Sequence, residues 1–178
     1  MARQETDPGL KPPVFDRPTR VLIALAPFYR AIADDLLAGA RATLDAAGVS
    51  HETVEVPGAL ELPTAIRLAT ASGEFDGYVA LGCVIRGETT HYETVCNDSS
   101  RGISVLGLQG HCVGNGILTV ENVSQAQLRA DPAGQNKGGG AAEAALHLIA
   151  LARRFTPRRR ALPEGGVRMA GGDPMDRI

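Results

Sequence analysis

No apolar run in this chain approaches the roughly 20 residues needed to cross a bilayer, and Met1 to Pro18 lacks the apolar stretch of a secretory signal. Those absences exclude a membrane-spanning helix and make the cytoplasm the expected compartment. A preponderance of one charge is lacking too, since 18 Lys and Arg against 20 Asp and Glu leave a formal net charge of -2. So even a balance sets up no field that would concentrate nucleic acid or anionic lipid, the local run Arg158-Arg159-Arg160 excepted. Small molecules are the expected partners, with no nucleic acid and no membrane. Cysteine is scarce: Cys83, Cys96 and Cys112 are odd in number and show no paired metal-binding spacing, so they read as structural thiols in a reducing compartment.

Metal and nucleotide signatures are missing as well. His91, Glu93, His111 and Cys112 are suitable ligand types, but no C-x-x-C or H-x-x-x-H pair occurs among them, and no metal site is expected. Gly138-Gly139-Gly140 has neither the G-x-G-x-x-G pattern nor a phosphate-loop lysine followed by Ser or Thr, which argues against dinucleotide binding.

What is present is a chain of 178 residues, 44% apolar and 21% charged, long enough for one packed domain. Pro8, Pro12, Pro13 and Pro18 mark residues 1–18 as a flexible or extended arm. The domain is expected over 19–155. Beyond it, 156–178 has no periodicity and reads as a disordered tail. Within the domain, Val21 to Ala26 is a continuous apolar run of strand length ended by Pro27. Ile32, Leu36, Leu37, Ala40 and Leu44 then recur at helical spacing until Gly48 closes the helix. Next come a strand at Glu52 to Val56, a helix near Glu61 to Ser72 and a strand at Gly77 to Leu81. Such alternation argues for an α/β domain with a parallel sheet covered on both faces. Ile103 to Leu106 suits a strand by composition, and with Val95 it also suits one face of a helix. The last elements are a strand at Gly116 to Val120, a short helix near Gln125 to Arg129 and a final helix from about Gly140 to Phe155.

The chemistry is expected where the chain leaves the carboxyl end of the Gly77 strand. There Gly82-Cys83-Val84-Ile85-Arg86-Gly87-Glu88-Thr89-Thr90-His91-Tyr92-Glu93 joins an apolar run to a glycine-bounded polar turn ending in histidine. Imidazole ordinarily titrates near a pKa of about 6.5 and both gives and takes protons, which makes His91 the candidate general acid/base; capping of the following helix is the structural alternative. His51, His111 and His147 have no such context. Glu88 and Thr89, opening a helix, offer main-chain N-H groups and a hydroxyl to a phosphate. Phe28, just past a strand end, stacks on a flat heterocycle or packs in the core with equal standing. Glu61 is either a helix-start carboxylate favoured by the dipole or an acceptor for sugar-alcohol hydroxyls. By itself Arg129 reads as a solvated helix residue, although its guanidinium can grip phosphate with two bonds.

Together with Val56-Pro57-Gly58-Ala59-Leu60-Glu61-Leu62-Pro63, Gly114 to Asn122 and Asn136-Lys137-Gly138-Gly139, this loop resembles the lumazine synthases of riboflavin biosynthesis, over about Arg20 to Phe155. The resemblance implies a single three-layer, flavodoxin-like domain with a four-stranded parallel sheet, and it makes the Ile103 region helical. It implies a transferase that condenses 5-amino-6-(D-ribitylamino)uracil with 3,4-dihydroxy-2-butanone 4-phosphate, without a cofactor. It assigns proton transfer to His91, stacking to Phe28, and pyrimidine and ribityl contacts to Ala59, Leu60, Glu61, Cys83, Val84, Ile85 and Asn115. Phosphate binding goes to Glu88, Thr89, Arg129 and Lys137. A cyclic homopentamer is implied, with Asn115 and Arg129 reaching a neighbour's site, and twelve pentamers form a 60-subunit shell in many relatives. Tyr29 stands where many relatives carry asparagine and Asn115 where phenylalanine is frequent. Those departures suggest the alternative of a flavin- or lumazine-binding protein of weak turnover; a shell-forming homologue whose assembly is its main role is a second alternative.

Overall fold

The computed structural model describes residues 10–156, so the expected tail beyond Thr156, with Arg158 to Arg160, and the start of the arm lie outside the described residues. Four parallel strands form one sheet in the order β2-β1-β3-β4: β1 (Arg20–Leu25), β2 (Ser50–Glu55), β3 (Gly77–Ile85) and β4 (Val113–Val120). The helices are α1 (Arg30–Ala46), α2 (Leu62–Thr70), α3 (His91–Leu108), α4 (Val123–Ala130) and α5 (Lys137–Phe155), with a 3-10 turn at Ala59–Glu61. This is an α/β, flavodoxin-like arrangement in three layers.

Strand alternation sorts the core. Val21, Ile23 and Leu25 of β1 and Val79 and Leu81 of β3 face one way, onto Leu36 and Leu44 of α1 and Leu146 and Ile149 of α5. Leu22, Ala24, Tyr78 and Ala80 face the other way, onto Leu62 and Ile66 of α2 and Ile103 and Leu106 of α3. Both faces of β1 and β3 are therefore buried, which is why their sequences read as unbroken apolar runs. Each fully buried Leu or Ile contributes on the order of 1.5–3 kcal/mol.

Gly48 ends α1 as expected. Its φ of +66° admits a left-handed turn, and the N-H groups of Gly48 and Val49 return to the carbonyls of Asp45 and Leu44 at 3.0 Å each. Among the strands and α5, three boundaries differ from the sequence reading by three residues or more. β3 runs on to Ile85, β4 starts at Val113, and α5 begins at Lys137, with three consecutive glycines in its first turn. The side chain of Asn136, at a φ of +45°, accepts from the Gly139 N-H at 3.1 Å and starts that helix despite its glycines. Between Leu10 and Thr19 there is neither helix nor strand; Phe15 packs on the core, and the Arg153 guanidinium lies 5.0 Å from its ring.

Candidate active site

β1 is followed by β2 on one side and then, through a crossover, by β3 on the other, so the order of strands reverses between β1 and β3. Crevices form at that point in parallel sheets, because the chain leaves the two neighbouring strands in opposite directions. β1 stops at Leu25, paired with Leu81, while β3 continues four residues further beside β4 alone. The Leu81 carbonyl accepts from the Ala26 N-H at 2.8 Å, and the Arg86 N-H points the other way, to the Val120 carbonyl at 2.9 Å. By alternation the peptide groups of Cys83 and Ile85 face the space that β1 has vacated.

That space is a cavity of about 430 Å³. Phe28 and Tyr29 come to it from the end of β1, Pro57 to Glu61 from the end of β2, Cys83, Val84 and Ile85 from β3, and Gly87, Thr89, His91, Tyr92 and Val95 from the turn and first helical turns beyond. Phe28 is 74% exposed and so is no core residue; its ring meets that of Tyr29 edge-on, with centroids 5.1 Å apart. Glu61 stands at the N-terminal boundary of α2 and makes no side-chain cap hydrogen bond. His91 is the first residue of α3; its backbone N-H donates to the Thr89 hydroxyl at 3.4 Å. Burial pushes the Cys83 thiol up to about 11, so at neutral pH it is a protonated wall group and not a nucleophile.

Arg129 and Lys137 are elsewhere. With Asn115 they line a second cavity of about 460 Å³, on the outer side of β4 and beside the start of α5. Arg129 donates from Nη1 to the Gln125 carbonyl at 3.0 Å, and the Asn115 side chain accepts from the Ile117 N-H at 3.0 Å. The residues expected to act together thus fall into two groups on one chain. Glu88 lies in the turn next to the first cavity without lining it, and α3 opens at His91 instead of at Glu88, because Thr90 supplies the first helical carbonyl, to Glu93 at 3.1 Å.

Tyr92 and Val95 are lining residues that the sequence reading missed. Val95 stands one turn beyond His91, so helical spacing from the histidine is a signal that points to it, whereas nothing in the sequence marks Tyr92. Of the other histidines, His51 pairs with Asp45 at 3.1 Å and His111 meets Tyr78 edge-on. Among the described residues no three of His, Cys, Asp and Glu converge as a metal site requires, and no helix is long and apolar enough to cross a membrane.

The chain matches known proteins over the whole of this fold. Residues 18–153 match the family described as 6,7-dimethyl-8-ribityllumazine synthase. A protein of that name from a Jannaschia species is 56% identical over 171 residues, covering 94% of this chain and 95% of its own. The one from Sphingopyxis alaskensis is 61% identical over 135 residues, covering 76% and 96%. That of Zymomonas mobilis is 49% identical over 137 residues, covering 77% and 99%. Extended over the sheet, the cavity at its carboxyl end and the cavity beside β4, this identity establishes that the chain belongs to the 6,7-dimethyl-8-ribityllumazine synthase family.

Proposed function

We propose that the protein is a transferase of riboflavin biosynthesis, condensing 5-amino-6-(D-ribitylamino)uracil with 3,4-dihydroxy-2-butanone 4-phosphate to 6,7-dimethyl-8-ribityllumazine, phosphate and water. The observation that carries this reading is the family match across residues 18–153, which takes in every element that shapes the cavity at the end of β1 and β3. At about 430 Å³ that cavity is of a size suited to one substituted heterocycle.

Phe28 offers an aromatic face to the pyrimidine, and the free peptide edge of Cys83 and Ile85 offers donors and acceptors to its ring. Glu61 accepts from ribityl hydroxyls, beside Ala59 and Leu60. The pyrimidine amine attacks the ketone and water leaves to give an imine; phosphate is then eliminated, and ring closure expels a second water. His91 carries protons through these steps from the edge of the cavity. With few ionisable groups at hand, most of the acceleration comes from holding the two reactants together, an effect worth about 7–11 kcal/mol for well-oriented pairs.

Arg129 and Lys137 are the cations for the substrate phosphate, with N-H groups from the Glu88–Thr89 turn. Since they sit in the second cavity, a complete site takes the β3 end of one subunit and the β4 face, with Asn115, of the next. Head-to-tail contacts that repeat in this way close into a ring. A cyclic homopentamer is the proposed unit, a 60-subunit shell the larger form it can build, and the cytoplasm the compartment. Residues 19–155 are proposed as the catalytic domain, flanked by the arm and the tail.

The test mixes purified protein with both substrates and follows the lumazine product by absorbance and fluorescence against an enzyme-free control, because some condensation is spontaneous. Acceleration supports the reading. Binding of the pyrimidine without acceleration overturns it in favour of a binding protein.

A further inference from the structure

The start of α3 is weakly held by the core. Its buried residues are Ser99, Ile103 and Leu106, so deep packing begins two turns beyond His91, and before them only the half-buried Val95 packs against the core. The turn before it is no firmer: among the described residues, none of the backbone N-H groups of residues 87–90 donates to the body of the domain. Yet His91 must stand at a fixed place over the cavity for a proton to pass between it and a bound reactant.

Arg86 supplies what the core does not. It is the residue just past β3, and its backbone N-H makes the last bond to β4, at the Val120 carbonyl. Its guanidinium then reaches three groups at once. Nε donates to Glu121 Oε2, at the end of β4, at 2.8 Å; Nη1 bonds Glu93, in the first turn of α3; and Cζ lies 4.2 Å from the centre of the Tyr92 ring. Tyr92 and Glu93 are the two residues directly after His91. A planar fork makes this grip, since it can bind two carboxylates and stack on a ring in a single conformation, which an ammonium cannot do. The guanidinium holds the Glu93 carboxyl below the usual carboxylate range.

We propose that Arg86 is a positioning residue for the reaction: by clasping Tyr92, Glu93 and Glu121 it fixes the first turn of α3, and with it His91, against the ends of β3 and β4. The inference rests on the reading of His91 as the proton-transferring group. Arg86 lines no part of the cavity, so it acts through His91 and does not touch substrate.

The experiment is a double-mutant cycle on the assembled full chain, with melting temperature and particle size measured for every variant. Arg86→Gln is expected to lower kcat about tenfold with KM for the pyrimidine within about twofold of the parent, as for a misplaced acid/base group. In a His91→Ala background the same substitution is expected to change kcat by less than about twofold, since there is no imidazole left to position. Arg86→Lys recovers only part of the rate. If Arg86→Gln keeps the parental kcat, or if its tenfold loss persists in the His91→Ala background, the proposal falls while the role of His91 stands. If His91→Ala itself keeps full kcat, the reading of His91 falls and takes the proposal with it. Should Arg86→Gln fail to fold, Glu121→Gln cuts one arm alone: a loss of about threefold that vanishes without His91 supports the clasp, and full kcat overturns it.

Discussion

Gly138 and Gly140 stand two residues apart in the first turn of α5, and alanine at the two positions is expected to shift stability in opposite directions. A Cβ at Gly138 would lie 2.0 Å from the Leu36 carbonyl oxygen and 2.7 Å from its carbon. Both are backbone atoms in the middle of α1, so no side-chain rotation relieves the clash and the helices must part by more than an ångström. Overpacking of this kind costs about 1–3 kcal/mol, against a gain of up to about 1 kcal/mol for replacing glycine in a helix. A rigid carbonyl as the obstacle puts the net loss near 2 kcal/mol, a fall in Tm of about 4–8 °C for a domain of this size. At Gly140 nothing lies within 4 Å of the added carbon. Gly140→Ala therefore keeps only the entropic gain, about 0.5–1 kcal/mol, and its Tm rises by about 1–4 °C. Thermal melts followed by circular dichroism at one subunit concentration, with particle size checked for each variant, read both shifts. A Gly138→Ala protein that melts at or above the parent would refute the close approach of α1 and α5.

His91→Ala is expected to slow turnover by about 100-fold or less without abolishing it, because proximity supplies most of the acceleration; an unchanged kcat across pH 5 to 9 removes His91 from the mechanism. Arg129→Ala is expected to raise KM for the phosphate substrate by about 10- to 100-fold, the worth of a lost charged hydrogen bond, and an unchanged KM takes it out of the site. Asn136→Ala loses both the cap on Gly139 and a residue at ease in the left-handed region, for about 2 kcal/mol, whereas Asn136→Gly loses the cap alone; equal Tm for the two variants would refute this division. Because burial raises the Cys83 thiol to about 11, its thiolate forms only as pH rises toward that value, and iodoacetamide labelling of Cys83 at pH 8 is expected to be far slower than that of a free thiol; parity between them would show the side chain to be open to solvent.

Where a sequence pattern has one physical cause, it is legible. Val21 to Leu25 reads as a strand because both its faces are buried, so every side chain there must be apolar. Gly48 marks the end of α1 because few other residues tolerate its φ. Sequence alone does not decide Ile103 to Leu106, since apolar residues there fit either period, and only their packing on Leu62 and Ile66 shows which face they serve. The sequence pattern puts the start of α5 three residues late for a physical reason: glycines weaken a helix in isolation, but here they let α1 come close, and an absent side chain leaves no mark of the partner it admits.

The candidate site divides along the same line. Phe28, Glu61, Cys83 and His91 lie on segments that leave adjacent strand ends, so parallel topology by itself brings them to one cavity, and residues just past the end of each strand are where the sequence alone reveals them. The grip of Arg86 on Glu121 spans 35 residues and depends on β3 and β4 ending level, which pairing register decides and composition does not. Arg129 and Lys137 present the opposite case. They share with Asn115 a cavity lined by two cations and no histidine, while the cavity of His91 is lined by no Lys or Arg. Under the proposed reaction, which expels phosphate and moves protons, each cavity lacks what the other has, and that is the ground for proposing that two copies of this chain complete one site.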